Sequence, residues 1–156
     1  MRACVRESHR LTPSLPAGLP KQLEEAAVLG GVLVPRGTFC FLNFAAKQQD
    51  GTIVDEPDSY IPERWLPPAV AARAGTPAAV IDHPFMATPF GHGARQCLGS
   101  RVMRLEVLSV LARFVQDWRF ELKDPTIRAA VELGRVFQGA VQPVRWPVFQ
   151  FTPRNA

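Results

Sequence analysis

Hydrophobic residues recur at three- and four-residue steps along residues 98–118. The stripe consists of Leu98, Val102, Leu105, Leu108, Ala112 and Val115, while arginines lie off it. This spacing predicts an amphipathic helix over residues 98–118. A second helix is predicted over residues 1–11, and it should end where Thr12 precedes Pro13, because a residue before proline disfavours the helical conformation.

Shorter strand patterns and turns fill the rest of the chain. Residues 23–44 are rich in β-branched and aromatic side chains, interrupted by Gly30-Gly31 and by a Pro-Arg-Gly turn at residues 35–37, so short strands are expected there. Residues 45–89 carry many prolines and predict a long meander with one helical turn near residues 69–74. Two further strands are predicted at residues 120–122 and 148–151.

Composition excludes several classes of protein. The chain has 156 residues, of which 47% are hydrophobic and 21% charged, as in an ordinary globular domain. Its net charge of +4 comes from scattered lysines and arginines, which argues against a nucleic-acid partner. No apolar run in the sequence reaches the ~20 residues that a membrane-spanning helix needs.

The three cysteines are too far apart for a disulfide framework or a zinc site. Cys4, Cys40 and Cys97 show no CxxC or Cys/His spacing, and His83 and His92 are expected in loops without a metal-binding role. Cys4 and Cys40 are predicted to be small buried hydrophobic residues.

Cys97 differs because it lies in the stretch FGHGARQCLG, residues 90–99, directly before the predicted long helix. The field at a helix N-terminus favours negative charge and therefore a thiolate. Gly91 and Gly93 can take positive φ and let the backbone approach a flat ligand, while Arg95 can pair with a carboxylate of that ligand. This combination predicts an axial seat for haem iron. The alternative is a glycine-rich turn that caps a helix, with an incidental cysteine.

The same stretch resembles the haem-binding signature of the cytochrome P450 family, Phe-x-x-Gly-x-Arg-x-Cys-x-Gly. The residues at its fixed places are Phe90, Gly93, Arg95, Cys97 and Gly99. Glu7 and Arg10 resemble the family's ExxR pair, and Arg64 in the PERW stretch resembles the third member of its structural triad. A glutamate held between two arginines tolerates burial because each charge has a fixed partner. Such a triad would tie the meander to the first helix and hold the cysteine loop.

The resemblance implies the C-terminal part of the family's fold, mainly α with small β-sheets, as a single partial domain over residues 1–156. It also implies haem b (iron protoporphyrin IX), with Cys97 as the iron ligand and with Phe90, Gly91, Gly93, Arg95 and Gly99 around it. Lys21 stands where many members place an arginine that pairs with a haem propionate. The helix on the oxygen side of the haem is expected upstream, so these residues alone should expose apolar surface and should not catalyse oxygenation.

The implied activity is haem-thiolate monooxygenation, which inserts one atom of O₂ into an apolar substrate, sterol-like compounds among the candidates. A truncated non-catalytic haem-binding module and a relative that rearranges peroxides without O₂ are the alternatives. PERWL and the stretch HPFMATPFGHG, residues 83–93, most resemble the mitochondrial branch, which takes electrons from a ferredoxin. Arg2 and Arg6 resemble the basic pair that docks that ferredoxin, with a solvated helix face as the simpler reading. A flavoprotein reductase is the alternative donor.

The expected location is the matrix side of the mitochondrial inner membrane, with membrane association through upstream parts. The endoplasmic reticulum membrane is the alternative.

Overall fold

The computed structural model of this chain describes residues 1–16, 18, 20–86, 89–124, 135–137 and 140–154. The α-helices are α1 (Arg2–Leu11), α2 (Phe44–Gln48), α3 (Pro67–Arg73) and α4 (Ser100–Asp117). The strands are β1 (Lys21–Gln22), β2 (Ala27–Leu29), β3 (Val32–Val34), β4 (Phe39–Cys40), β5 (Trp118–Leu122), β6 (Arg135–Phe137), β7 (Val141–Pro143) and β8 (Phe149–Pro153). Single 3₁₀ segments lie at Pro62–Trp65, Pro77–Asp82, Pro84–Met86 and Gly93–Arg95. Helices with small sheets confirm the predicted fold class.

The first helix ends where the sequence predicts. Thr12 has φ −136° and ψ 72°, outside the helical region, and its N–H donates to the Ser8 carbonyl at 2.8 Å. The prediction over residues 1–11 is therefore confirmed to within one residue. Pro13 explains the stop, because its ring disfavours a helical conformation at the residue before it.

Every described sheet is a two-stranded antiparallel pair: β1 with β4, β2 with β3, β5 with β8, and β6 with β7. The β2–β3 hairpin turns at Gly30 and Gly31, with φ of 57° and 83°, which two-residue hairpin turns require and glycine adopts without strain. The expectation of strands over residues 23–44 is too broad at its end. Phe44 begins α2, because the Asn43 side chain accepts a hydrogen bond from the Ala46 N–H at 3.1 Å and caps the helix.

The meander has more regular structure than the sequence suggests. The helical turn predicted near residues 69–74 is α3, which begins at Pro67 because proline fits the first turn of a helix. Helix α2 and the 3₁₀ segments divide the remainder. Short proline-bounded segments of this kind carry too little periodicity to be predicted.

The long helix is shorter than predicted. It begins at Ser100 rather than Leu98, because Leu98 and Gly99 lie in a turn in which the Ser100 N–H donates to the Cys97 carbonyl at 3.2 Å. It ends at Asp117, and Trp118 enters β5 directly. β5 pairs with β8 from Trp118 opposite Pro153 to Leu122 opposite Phe149, which confirms the two strands predicted at residues 120–122 and 148–151.

The buried core of the described residues is small and largely polar. Its hydrophobic members are Val54, Ile81 and Met86, and its polar or charged members are Glu7, Arg10, Gln48 and Ser100. Cys4 and Cys40 are only partly buried, contrary to the prediction, because the small core of the described residues includes only Glu7 and Arg10 of α1 and no residue of β4. The core is therefore built around charge, at the junction of α1 with the meander.

The apolar face of α4 is largely uncovered. The exposed fractions are 59% for Val102, 69% for Leu105 and 46% for Val115, and Leu98, in the turn before the helix, is 99% exposed. This confirms the expectation that these residues expose apolar surface. Near its C-terminus the helix does find a partner, because the Phe114 ring lies 5.8 Å from the Phe151 ring of β8, centroid to centroid.

Candidate functional site

The Glu7 carboxylate is the centre of the buried network, with no exposed surface. Its Oε1 accepts from Arg10 Nη2 at 2.9 Å, from the Ile61 N–H at 3.0 Å and from Arg64 Nε at 3.0 Å. Its Oε2 accepts from Arg10 Nε at 3.1 Å and from the indole Nε1 of Trp65 at 2.7 Å. The carboxylate therefore has a donor on every side, which is what permits a charge to be buried.

Arg10 connects this carboxylate to the meander. Its Nη1 donates to the carbonyls of Gln48 and Pro57 at 3.0 and 2.6 Å, and its Nη2 donates to the Ser59 carbonyl at 2.9 Å. The side chain is 3% exposed. Because its planar guanidinium has five N–H donors in a fixed arrangement, one side chain fixes one carboxylate and three loop carbonyls.

Arg64 reaches Glu7 from the 3₁₀ segment Pro62–Trp65 and also donates to the Asp55 carbonyl at 3.0 Å. The structure thus brings Glu7, Arg10 and Arg64 into one network. Burial alone would raise the pKa of Glu7, but the hydrogen bonds from Arg10, the Ile61 N–H and Trp65 outweigh it and hold that pKa below its ordinary value. Glu7 is therefore an ionised carboxylate at neutral pH.

Three residues of this region were not identified from the sequence: Trp65, Arg73 and Asp82. The PERW stretch contained Trp65, but its indole N–H faces Glu7 only because the 3₁₀ segment crosses α1, 58 positions later in the chain. A second ion pair joins Arg73 to Asp82, with Nε to Oδ2 at 2.6 Å and Nη2 to Oδ1 at 2.7 Å. Arg73 also donates to the Arg64 carbonyl at 2.6 Å, so it supports the segment that carries the triad.

The cysteine loop is folded by its own backbone. The Cys97 N–H donates to the Phe90 carbonyl at 2.9 Å, which closes a loop across residues 90–97. Gly91 and Gly93 have φ of 72° and 73°, in the left-handed region that other residues rarely adopt. A Cβ on Gly99 would lie 3.8 Å from the Cys97 sulfur. Of the three glycines, only Gly99 lies beside the sulfur, whereas Gly91 and Gly93 set the backbone path of the loop.

The side chains of the loop fit a haem. The Cys97 thiol is free and exposed, and the Arg95 side chain is also exposed, so it can reach a carboxylate. Leu98, directly after the thiol, is 99% exposed and offers an apolar contact to a flat ring. A soft sulfur ligand, an apolar neighbour and a cation suit iron, a porphyrin ring and a propionate respectively.

The loop is linked to both long helices through Phe90. The His9 ring of α1 packs edge-on against the Phe90 ring, with centroids 6.5 Å apart. The Arg104 guanidinium of α4 lies over the same ring, 5.2 Å from its centroid. Burial lowers the pKa of His9, and the nearby Arg104 charge lowers it further. His9 thus contacts Phe90 as a neutral imidazole at neutral pH.

Lys21 lies on β1, opposite Cys40 of β4, with an exposed side chain. Among the described residues, no hydrogen bond or ion pair joins it to the cysteine loop, and its pairing with a propionate stays a prediction.

Arg2 and Arg6 lie one turn apart on α1 but have different surroundings. Arg2 is exposed. The Arg6 guanidinium lies 3.9 Å from the centroid of the Trp65 ring and 3.8 Å from Asp82 Oδ1. Burial lowers the pKa of Arg6; Asp82 opposes this change and Arg73 adds to it. The Arg6 side chain is therefore fixed by its contacts with Trp65 and Asp82, whereas Arg2 is exposed to solvent.

Both arginines line a cleft of about 800 Å³ between α1 and α4. Arg101, Arg104 and His9 line it as well, together with apolar residues of α4 such as Leu105 and Leu108. The cleft is therefore basic and apolar in character.

Within the described ranges, no three or more His, Cys, Asp or Glu side chains are grouped so that they could hold a metal ion. His83 and His92 flank the Phe85 ring, with centroids 5.3 and 4.7 Å away. Among those same residues, no helix is long and apolar enough to cross a membrane.

Comparisons with known proteins agree with this geometry. The chain is 37% identical to the rabbit (Oryctolagus cuniculus) mitochondrial sterol 26-hydroxylase over 128 residues, which is 81% of this chain and 23% of that protein. It is 36% identical to the human (Homo sapiens) mitochondrial sterol 26-hydroxylase over 81% of this chain and 23% of that one. A probable mitochondrial cytochrome P450 12b2 of Drosophila melanogaster is 35% identical over 76% of this chain and 22% of that protein. The chain thus spans roughly a quarter of the length of these relatives.

A solved structure of a zebrafish cytochrome P450 with abiraterone superposes with a TM-score of 0.75 at 29% identity, covering 97% of this chain and 33% of that one. The family model described as cytochrome P450 matches residues 1–138, which include the Glu7 network and the Cys97 loop. On this match and the identity to its members, the chain belongs to the cytochrome P450 family.

Proposed function

We propose that the protein carrying this chain is a haem-thiolate monooxygenase in which Cys97 is the axial ligand of haem b iron. The observation that carries the proposal is a free, exposed cysteine in a loop with two left-handed glycines, directly before α4. Such a loop leaves the sulfur accessible to a flat cofactor on one side. The family membership supports the same assignment.

The haem would rest on the cysteine loop, with Phe90, Gly91, Gly93 and Gly99 around the sulfur. Arg95, and Lys21 on β1, would pair with the propionates. When bound, the haem supplies oxygen activation, which thiolate ligation favours by donating electron density to iron. The chain's own contribution is to hold the sulfur at a fixed position in an exposed loop.

The network of Glu7, Arg10 and Arg64 is the structural triad that holds this arrangement. Its hydrogen bonds join α1 to three loop carbonyls of the meander, and α1 contacts the cysteine loop through His9. Loss of the triad would therefore release the loop from one of its supports. We infer that its role is to maintain haem loading rather than to take part in chemistry.

Electrons are proposed to come from a small ferredoxin, with a flavoprotein reductase as the alternative donor. Arg2 and Arg6 on the basic cleft would dock the acidic surface of that partner. Several relatives are named mitochondrial proteins, which supports the ferredoxin and a location on the matrix side of the mitochondrial inner membrane. The endoplasmic reticulum is the alternative location.

The substrate is proposed to be a small apolar, sterol-like compound. The names of two relatives, mitochondrial sterol 26-hydroxylases, support this class. The segment is proposed to form one partial domain, the haem-binding C-terminal region of a larger fold, because it spans roughly a quarter of each relative.

Turnover by the haem-loaded full-length protein tests the proposal. The protein would be supplied with a ferredoxin and its reductase, and products from a panel of sterols and fatty acids would be measured under ¹⁸O₂. One labelled oxygen atom in the product, lost when the ferredoxin is omitted, is the expected result. Product formed from a lipid peroxide without O₂ would instead indicate the peroxide-rearranging alternative.

The uncovered apolar face of α4 favours a second candidate for residues 1–156 on their own, a haem-binding module without catalysis. Haem added to the purified segment should then bind weakly and give no product above free haem. Turnover by the segment alone would contradict this candidate.

A further inference from the structure

We propose that His9 and Arg104 are positioning residues for Cys97, and that both act through the Phe90 ring. This inference rests on the proposed role of Cys97 as the haem ligand. It concerns a contact between two helices and a loop that the signature residues alone do not describe.

A backbone hydrogen bond joins Phe90 to Cys97. The Phe90 carbonyl accepts the Cys97 N–H at 2.9 Å, so the backbone position of Phe90 fixes the backbone of the ligand. Between them lie Gly91 and Gly93, both with positive φ and with little around them: the nearest atom that a Cβ on Gly91 would meet is the Arg95 carbonyl oxygen, at 4.0 Å, and a Cβ on Gly93 would meet nothing within 4 Å. The two glycines therefore add no packing to the loop. Its side-chain anchors are Phe90 and His92. The His92 ring lies 4.7 Å from the Phe85 ring and its Nε2 lies 3.2 Å from the Pro84 carbonyl oxygen, but only Phe90 of the two bonds directly to the Cys97 backbone.

Two side chains hold the Phe90 ring. Its ring is contacted from α1 by the edge of the His9 ring and from α4 by the Arg104 guanidinium. Both contacts are of kinds that stabilise beyond simple burial, through the quadrupole of the aromatic ring. The ring therefore lies between α1 and α4, and we call its contacts with His9 and Arg104 the clamp. The positions of both helices thus determine where the cysteine loop lies.

The protonation state of His9 suits this contact. Its partial burial and the neighbouring Arg104 charge both favour the neutral ring. A neutral imidazole next to the Arg104 cation avoids charge repulsion at the clamp, so the two contacts are compatible. Arg101, one turn earlier on α4, is exposed and also lines the cleft, but the structure gives it no contact with Phe90.

The test measures thiolate ligation directly in the haem-loaded full-length protein. The ferrous–carbon monoxide complex is prepared, and the rate at which its thiolate-type absorption converts to the non-thiolate type is followed at constant temperature. His9→Leu, which replaces the imidazole ring with an aliphatic side chain of similar size, should convert about three- to tenfold faster than the wild type. Arg104→Gln should convert about two- to fivefold faster. His9→Phe, which restores an aromatic edge, should return towards the wild-type rate.

Two controls separate positioning from general loosening. Arg101→Gln removes the same charge from the same helix and should leave the conversion rate unchanged. In a Phe90→Leu background, His9→Leu and Arg104→Gln should have no further effect, because the ring through which they act is gone.

Wild-type conversion rates for both His9→Leu and Arg104→Gln, or equal acceleration by Arg101→Gln, would overturn the inference. If the wild-type protein itself showed no thiolate-type absorption, the proposed role of Cys97 would fail, and this result is distinguishable from failure of the clamp alone.

Discussion

Two regions of this segment, one around Glu7 of α1 and one around Cys97 before α4, differ in what they expose to solvent. Around α1, the Glu7 carboxylate receives five hydrogen bonds and has no exposed surface. Around α4, the Cys97 thiol is exposed and Leu98 is 99% exposed. The first region satisfies its charges internally, whereas the second leaves its reactive and apolar groups available.

The difference shows how stability and chemistry are divided. A buried charge must find all its partners within the same fold, because leaving one unpaired costs several kcal/mol. An iron ligand must instead keep at least one lone pair of its sulfur accessible, because that lone pair forms the bond to the metal. The α1 region can therefore act as a rigid support for a cysteine loop whose ring contacts are those of Phe90 and His92.

The largest effect is expected when the carboxylate is removed. Glu7→Ala leaves two arginines buried without their counter-charge and should lower the free energy of unfolding by about 3–5 kcal/mol, measured by urea denaturation. Glu63→Ala, in the exposed part of the neighbouring 3₁₀ segment, is the matched control and should change it by less than about 0.5 kcal/mol. A double-mutant cycle between Glu7 and Arg64 should show strong coupling. Additive effects would contradict a single network.

The next effect concerns the donor that the sequence analysis missed. Trp65→Phe keeps the aromatic ring against Arg6 but removes the indole N–H that donates to Glu7 Oε2 at 2.7 Å. Loss of a hydrogen bond to a buried charge should cost about 1.5–3 kcal/mol in the free energy of unfolding. Trp146→Phe, at a position 70% exposed, should be close to neutral. Equal costs for the two variants would show that the indole bond to Glu7 is not important.

A pH titration of stability isolates the charge of Glu7. Because its folded-state pKa is lowered, the carboxylate stabilises the fold above its unfolded pKa, and this contribution is lost as pH falls through the folded pKa. The stability difference between the wild type and Glu7→Gln should therefore be largest near neutral pH and shrink on acidification. A difference that stays constant from neutral pH into the acid range would mean that the charge of Glu7 contributes nothing.

The smallest effect is expected at the surface. Arg2→Gln should weaken ferredoxin binding by less than about fivefold, most visibly at low ionic strength, because an exposed cation interacts weakly. Its fold should be unaffected. Arg6→Gln should weaken binding and also lower stability, since Arg6 packs on Trp65. If Arg6→Gln weakened binding but left stability unchanged, the contacts of Arg6 with Trp65 and Asp82 would not contribute to the fold.

The sequence predicts local features of this fold better than contacts between distant segments. Pro13 indicates the end of α1, and Gly30-Gly31 indicates a break between strands, because each acts on its own backbone. The start of α4 was misplaced because Leu98 fits the apolar period, whereas its position is decided by the turn at Gly99. Helix α2 was missed because its five residues are too few to show a period.

The same reasoning applies to the site. The residues of the cysteine loop are neighbours in the chain, so their spacing alone indicated a ligand. The partners of Glu7 come from positions up to 58 residues away, and only the family resemblance linked Arg64 to it. The contacts of His9 with Phe90, and of Arg104 with the same ring, depend on how α1, the loop and α4 pack. No local pattern of residues encodes that packing.

The most direct test of the account is the ferrous–carbon monoxide spectrum of a Cys97→Ser variant of the haem-loaded full-length protein. Cys4→Ser and Cys40→Ser, which remove the other two free thiols of this segment, are the matched controls. Thiolate-type absorption should disappear in Cys97→Ser alone and persist in both controls. Thiolate-type absorption that survives in Cys97→Ser would show that another group binds the iron and would contradict the account.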